Sequence, residues 1–132
     1  MPKFRSKDSE HFLVVYSSLA YPLVGIFLLV QKSNPIMGVI LIFVGISAFF
    51  HHQYPSNQLL RFFDWFSSFV LMAYTLMAYK LTGVEYLLFL ILFSIWIFSF
   101  YHFHKTHNIQ YYSISHIAWH ILGAASVLLV VV

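Results

Sequence analysis

The chain has 132 residues, of which 61% are hydrophobic, 20% aromatic and only 8% charged, and its formal net charge is +3. Because soluble domains carry about 25% charged residues, this composition excludes a soluble globular protein and predicts an all-α integral membrane protein. The seven Lys and Arg residues are spread along the chain, which excludes a nucleic-acid-binding surface, and the absence of Cys excludes disulfides, thiolate metal sites and Cys nucleophiles.

Apolar segments follow one another along the chain, each close to the roughly 17–25 residues that a membrane-spanning helix needs. They predict a bundle of about five transmembrane helices in a single domain that uses the whole chain, residues 1–132. The predicted helices cover about 12–30, 35–52, 59–81, 84–104 and 109–132. Pro22 interrupts the first helix and predicts a kink there, which neighbouring helices can tolerate by satisfying the freed carbonyl.

Lys and Arg in short loops predict the orientation, because cytoplasmic loops carry an excess of both. Five spans put five of them on the side of the N-terminus and only Lys32 and Lys80 on the other side. The five are Lys3, Arg5, Lys7, Arg61 and Lys105. We therefore expect a cytoplasmic N-terminus, in a topology that also brings His51, Asp64 and the start of the fifth helix to one membrane face.

Histidines near the helix ends predict a metal site. Residues four apart share one helix face, so His116 and His120 can clamp one metal ion from a single helix. His51, on the second helix, would supply a third nitrogen. Three imidazoles suit catalytic zinc, which takes three protein ligands and leaves one position for water.

Two polar side chains near these histidines are candidate catalytic residues. Asp64 could take a proton from water or hold a ligand imidazole, and Ser47, one turn deeper than His51, could donate a hydrogen bond to a developing oxyanion. Each has an ordinary structural alternative: Asp64 could be a helix N-cap, and Ser47 could bond the carbonyl one turn earlier. The histidine pair could likewise only hydrogen-bond across helices.

Four further histidines are expected to be solvated at the membrane interface. Two pairs of small residues are expected to allow helices to approach closely. The histidines are His52, His102, His104 and His107, and the small residues are Gly38 with Gly45 and Gly123 with Ala124.

Three motifs in chain order resemble the CREST superfamily, which includes the alkaline ceramidases and the progestin and adipoQ receptors. They are Ser47-x-x-x-His51 near the end of one helix, Asp64 at the start of the next, and His116-x-x-x-His120 in the last helix. The resemblance covers about half of the chain. It implies that the three histidines bind zinc, that Asp64 contacts the zinc-bound water, and that Ser47 lies beside it.

The same resemblance implies hydrolysis of a lipid amide such as ceramide at the membrane. The family has seven spans where this chain is predicted to have five, so either two helices are missing from a minimal bundle or a homodimer completes the enclosure. Other functions stay open: a non-catalytic metal-stabilised protein or lipid receptor, a di-iron lipid hydroxylase using further histidines, or a bis-histidine haem protein.

Overall fold

The computed structural model describes residues 9–106 and 108–131, and in this part of the chain all regular structure is helical. It contains six α-helices joined by short turns, and a π-helix extends the fifth. The α-helices are α1 (Ser9–Ser17), α2 (Ala20–Val30), α3 (Pro35–Gln53), α4 (Gln58–Ala78), α5 (Gly83–Tyr101) and α6 (Ile109–Val131), and the π-helix is His102–Thr106.

Five stretches are long and apolar enough to cross a membrane, which confirms the predicted number of spans by length and composition. They are Phe12–Val30, Pro35–Gln53, Gln58–Ala78, Gly83–Thr106 and Gln110–Val131. The third ends three residues before its predicted limit of 81, and Lys80 lies in the connection that follows. Four residues used in the sequence analysis lie outside the described residues: Lys3, Arg5, Lys7 and His107.

The first span consists of two helices, and the break between them precedes Pro22. Ser18 and Leu19 form the turn, where Leu19 N donates to Tyr16 O at 3.1 Å. Pro22 then falls in the first turn of α2, where its missing N–H costs no helical hydrogen bond. The expected kink is therefore displaced by about one turn towards the N-terminus.

Side-chain caps fix where the later helices begin. Asn34 caps α3 by accepting from Met37 N at 3.0 Å, and Thr82 caps α5 in a reciprocal capping box with Glu85. Asn57 caps α4, so that Asp64 lies nearly two turns inside that helix and is not its N-cap. The structural alternative considered for Asp64 is therefore wrong.

The core lies where α2, α3 and α6 meet, and glycines set the spacing of α2 and α3. Tyr21, Leu28, Leu41 and Val127 belong to its buried cluster. A Cβ on Gly25 would lie 2.6 Å from Gly38 O, so neither helix could keep its position with a larger residue there. The predicted close approach at Gly38 is confirmed, and Gly45 and Gly123 are equally crowded, against Pro22 and Tyr21.

The packing leaves a gap on one side of the bundle. α4 packs on α3, and α5 packs on α6, but α4 and α5 are not closely packed against each other among the described residues. A groove therefore runs between them.

We expect Gly25→Ala to lower the free energy of unfolding by about 1–3 kcal/mol, because the new methyl group overlaps backbone that cannot move without separating α2 from α3. Gly83→Ala is the matched control, since no atom lies within 4 Å of a Cβ built at that position. Its effect should stay within about 0.5 kcal/mol. Thermal unfolding of both variants in detergent measures the difference, and equal losses would contradict the glycine contact.

Candidate metal centre

Three imidazoles converge where the last turn of α3 meets α6. The ligand nitrogens of His52, His116 and His120 all lie within 4.8 Å of one another, and His52 Nε2 is 3.1 Å from His116 Nε2. Two nitrogens bound tetrahedrally to zinc at 2.0–2.1 Å would be about 3.3 Å apart. His52 and His116 thus already have the spacing of two ligands of one metal ion.

Serine hydroxyls contact the ring nitrogen Nδ1 of two of these imidazoles. Ser99 Oγ lies 3.0 Å from His116 Nδ1, and Ser17 Oγ lies 2.8 Å from His120 Nδ1. Since Ser17 donates its own proton to Val14 O at 2.8 Å, Nδ1–H of His120 is the donor in that pair. This tautomer leaves His120 Nε2 without a hydrogen, so that its lone pair can bind a metal ion. Such contacts behind a ligand ring fix its orientation in metal sites.

The position of His51 differs from the sequence-based expectation. Ser47 and His51 do share one face of α3, as their spacing predicts, and the contacts of both residues are with α4. His52 continues instead the buried row formed by Gly45 and Ala48, which packs towards the centre of the bundle. The structure therefore brings His52, and not His51, to the pair His116 and His120.

His51 lies beside Asp64, with His51 Nε2 4.0 Å from Asp64 Oδ2. The two side chains are 14% and 13% exposed. The other ring nitrogen, His51 Nδ1, is buried and has no hydrogen-bond partner among the described residues.

Ser47 is engaged in helix packing. Its hydroxyl lies 3.0 Å from Val44 O, one turn earlier, and 2.8 Å from Ser67 Oγ on α4. It does not line the cavity next to the histidines. The backbone hydrogen bond considered as its structural alternative is therefore present, and the placement offers no contact with a substrate.

A cavity of about 340 Å³ opens beside the three imidazoles. His51 and Asp64 line it as well, and aromatic side chains of α4, α5 and α6 form most of the remaining wall. A second cavity of about 80 Å³ continues along the groove between α4 and α5, with Met72, Phe93 and Trp119 shared between the two. Binding pockets for small molecules usually measure about 300–1,000 Å³.

His102 and His104 are not part of the group of three imidazoles. His102 Nδ1 lies 2.7 Å from Thr106 Oγ1, within the π-helix, and the ring of His104 packs at a tilt against Phe100 with 4.2 Å between ring centroids. His104 is exposed, as expected for a residue at the interface, although it also lines the large cavity.

Sequence reasoning missed His52, Ser17 and Ser99. The signal for His52 was the spacing of small residues in α3, since Gly45, Ala48 and His52 recur at helical intervals. The two serines carry no comparable signal, because their role depends on which helices pack together.

Comparison of the chain with models of protein families, with curated proteins and with solved structures gives no match in any of the three. The resemblance to the CREST superfamily therefore rests on its three motifs and remains a prediction.

We expect Ser99→Ala to weaken divalent-metal binding by about 10–100-fold, because it removes the partner that orients His116. Ser94→Ala on the same helix is the control, since Ser94 is exposed and its hydroxyl donates to Leu90 O of its own helix at 2.8 Å. Competition titrations of the purified proteins with Zn²⁺ give both affinities. Equal affinities for the two variants would show that Ser99 does not support a metal ligand.

Proposed function

We propose that this chain is a multi-pass membrane protein that uses a zinc ion to hydrolyse an amide bond in a lipid. The observation that carries the proposal is the convergence of His52, His116 and His120 at the wall of a cavity that Asp64 also lines. The proposal includes membership of the CREST superfamily, on the three motifs that resemble it.

The outer surface supports a membrane location. Large apolar side chains are exposed on every span, among them Leu23 at 67%, Val84 at 69% and Leu129 at 69%. A monomeric soluble protein rarely exposes apolar patches on this scale, whereas hydrocarbon chains of lipids would cover them. The excess of Lys and Arg on the side of the N-terminus supports a cytoplasmic location for it.

Zinc fits this donor set better than iron or haem. Three imidazoles without a thiolate match catalytic zinc sites with three protein ligands and one open position. A di-iron centre would need more ligands, yet His102 and His104 lie apart from the cluster in contacts of their own. Haem would require two histidines on opposite sides of a large planar cavity, whereas His52 and His116 are in direct contact. When bound, zinc supplies Lewis acidity, which makes water a nucleophile near neutral pH.

Asp64 is the residue that we assign to proton transfer. It lines the cavity, and it is held beside His51 at 4.0 Å. A carboxylate in this place can accept the proton of a water molecule that attacks a carbonyl, and can return it to the leaving amine.

The groove between α4 and α5 supports a lipid substrate. Its walls are mostly apolar, and it extends from the histidines towards the opposite end of the bundle, where Leu88 and Val130 line the smaller cavity. A lipid could enter sideways from the bilayer and place its polar linkage at the histidines with one chain in the groove. The amide as the cleaved bond follows from the resemblance to ceramidases.

A second candidate function is a metal-stabilised protein without turnover, which binds a lipid as a receptor does. The observation in its favour is the burial of His52 and His120, 5% and 3% exposed, because a metal there would join α3 to α6 as a structural cross-link. Zinc removal would lower the stability of the helical bundle under both functions. Only the hydrolase requires Asp64 for turnover.

We expect His52→Ala to abolish zinc binding while His51→Ala retains the wild-type zinc content. The reason is that His52 stands within ligand distance of His116, whereas His51 faces α4. Elemental analysis of the purified variants measures zinc per chain, and circular dichroism checks that both remain helical. The reverse result would restore His51 as the ligand, as the family resemblance implies.

We expect Asp64→Asn to slow hydrolysis of a lipid amide by about 10²–10⁴-fold with zinc content unchanged, because an amide cannot accept the proton. Glu85→Gln is the control, since it makes the same chemical change at the other end of the groove. Release of fatty acid from ceramide in mixed micelles measures the rate. Unchanged turnover in Asp64→Asn would contradict the assigned role.

A further inference from the structure

Arg61 carries a positive charge and lines the cavity of about 340 Å³ beside the three imidazoles. It lies in the first turn of α4, three residues before Asp64, and both residues line the same cavity. Side chains three apart on a helix are neighbours, with about 5–6 Å between their Cβ atoms. A ligand that reaches Asp64 therefore passes within reach of Arg61.

Among the side chains that the structure describes, at residues 12–106, 108 and 110–131, no carboxylate pairs with Arg61. Arg61 Nη2 donates to Pro55 O at 2.9 Å, which fixes the guanidinium against the loop before α4. The one histidine–carboxylate contact within 4.0 Å among these side chains joins His51 to Asp64. A guanidinium has five N–H donors, so the bond to Pro55 leaves most of them for a ligand.

Helix stability does not account for a cation at this place. The first turn of a helix favours negative charge, because its free N–H groups carry partial positive charge, and Arg61 adds a positive charge there. The guanidinium of Arg61 lies at the wall of a cavity with most of its N–H donors unused by the described residues, which indicates an anion-binding position.

We propose that Arg61 binds the phosphate headgroup of the lipid amide on which the protein acts. This inference rests on the proposed function for the identity of the lipid. A planar guanidinium matches phosphate with two parallel hydrogen bonds, and Arg61 adjoins the loop at residues 54–57, where a headgroup would meet the bundle. Since Asp64 lies one turn deeper, the phosphate stands a few bonds from the amide. The substrate class is a phosphorylated lipid amide.

Tryptophans in the cavity allow binding to be measured without turnover. Trp65, Trp96 and Trp119 line it, so a brominated acyl chain that enters should quench their fluorescence. Two probes are compared, N-acyl sphingosine and its 1-phosphate, each with the same brominated chain, on zinc-loaded protein in neutral detergent, with the quenching read before turnover. We expect the wild type to bind the phosphorylated probe about tenfold more tightly. Inorganic phosphate alone serves as a third ligand, in competition with the phosphorylated probe.

Three variants test the role of Arg61. Arg61→Gln should bind both probes equally, Arg61→Lys should retain part of the preference, and the exposed control Lys105→Gln should retain all of it. If Arg61→Gln does not fold, the result for Arg61→Lys tests the proposal. A lysine cannot make the two parallel hydrogen bonds of a guanidinium to phosphate, so the preference for the phosphorylated probe must still be smaller than in the wild type. An undiminished preference in both variants, or equal binding of the two probes by the wild type, would overturn the proposal.

The remaining outcomes separate this proposal from the proposed function. Displacement of the phosphorylated probe by inorganic phosphate at equal concentration would show that free phosphate is the ligand, and would overturn a lipid headgroup. A preference that depends on Arg61, with no release of fatty acid from either lipid by the zinc-loaded protein, supports the headgroup position and contradicts the hydrolase. Fatty-acid release without any preference supports the hydrolase and overturns the headgroup position.

Discussion

The candidate site depends on the contact between His52 in the last turn of α3 and the two histidines of α6. Polar rings in an apolar interior are costly unless they are paired, so His52, His116 and His120 stabilise the bundle only if they satisfy one another or share a ligand. The 3.1 Å distance between His52 Nε2 and His116 Nε2 meets that requirement at the spacing of metal ligands. The position of α3 against α2 and α6 is therefore both a packing constraint and a chemical one.

Small residues make this contact possible. Gly25 and Gly38 let α2 and α3 approach until backbone meets backbone, and Gly123 of α6 leaves room for the side chain of Tyr21 on α2. With α2, α3 and α6 fixed in this way, α4 and α5 remain attached to opposite sides of the core. The groove between them follows from that attachment, and the three imidazoles line the cavity at one end of it.

Much of the architecture could be predicted from the sequence, because long apolar segments and breaker clusters specify helices directly. Shared faces within a single helix were predictable too: Ser47 and His51 do lie on one face of α3. The spacing could not show which neighbouring helix that face meets, since this depends on how α3 is rotated in the bundle. For that reason His52 was predicted to lie at the membrane interface, although it belongs to the cluster of three imidazoles. No sequence pattern indicates that Ser17 and Ser99 contact two of these rings. The paired His116 and His120 were predictable because one helix carries both.

X-ray absorption at the zinc edge of the purified protein tests the central claim most directly, because it reports the ligands of the ion itself. We expect bound zinc with three imidazole nitrogens at about 2.0–2.1 Å and one further light atom. Zinc coordinated by oxygen atoms with no imidazole, or protein that retains no zinc when it is purified in the presence of the ion, would contradict the proposed centre.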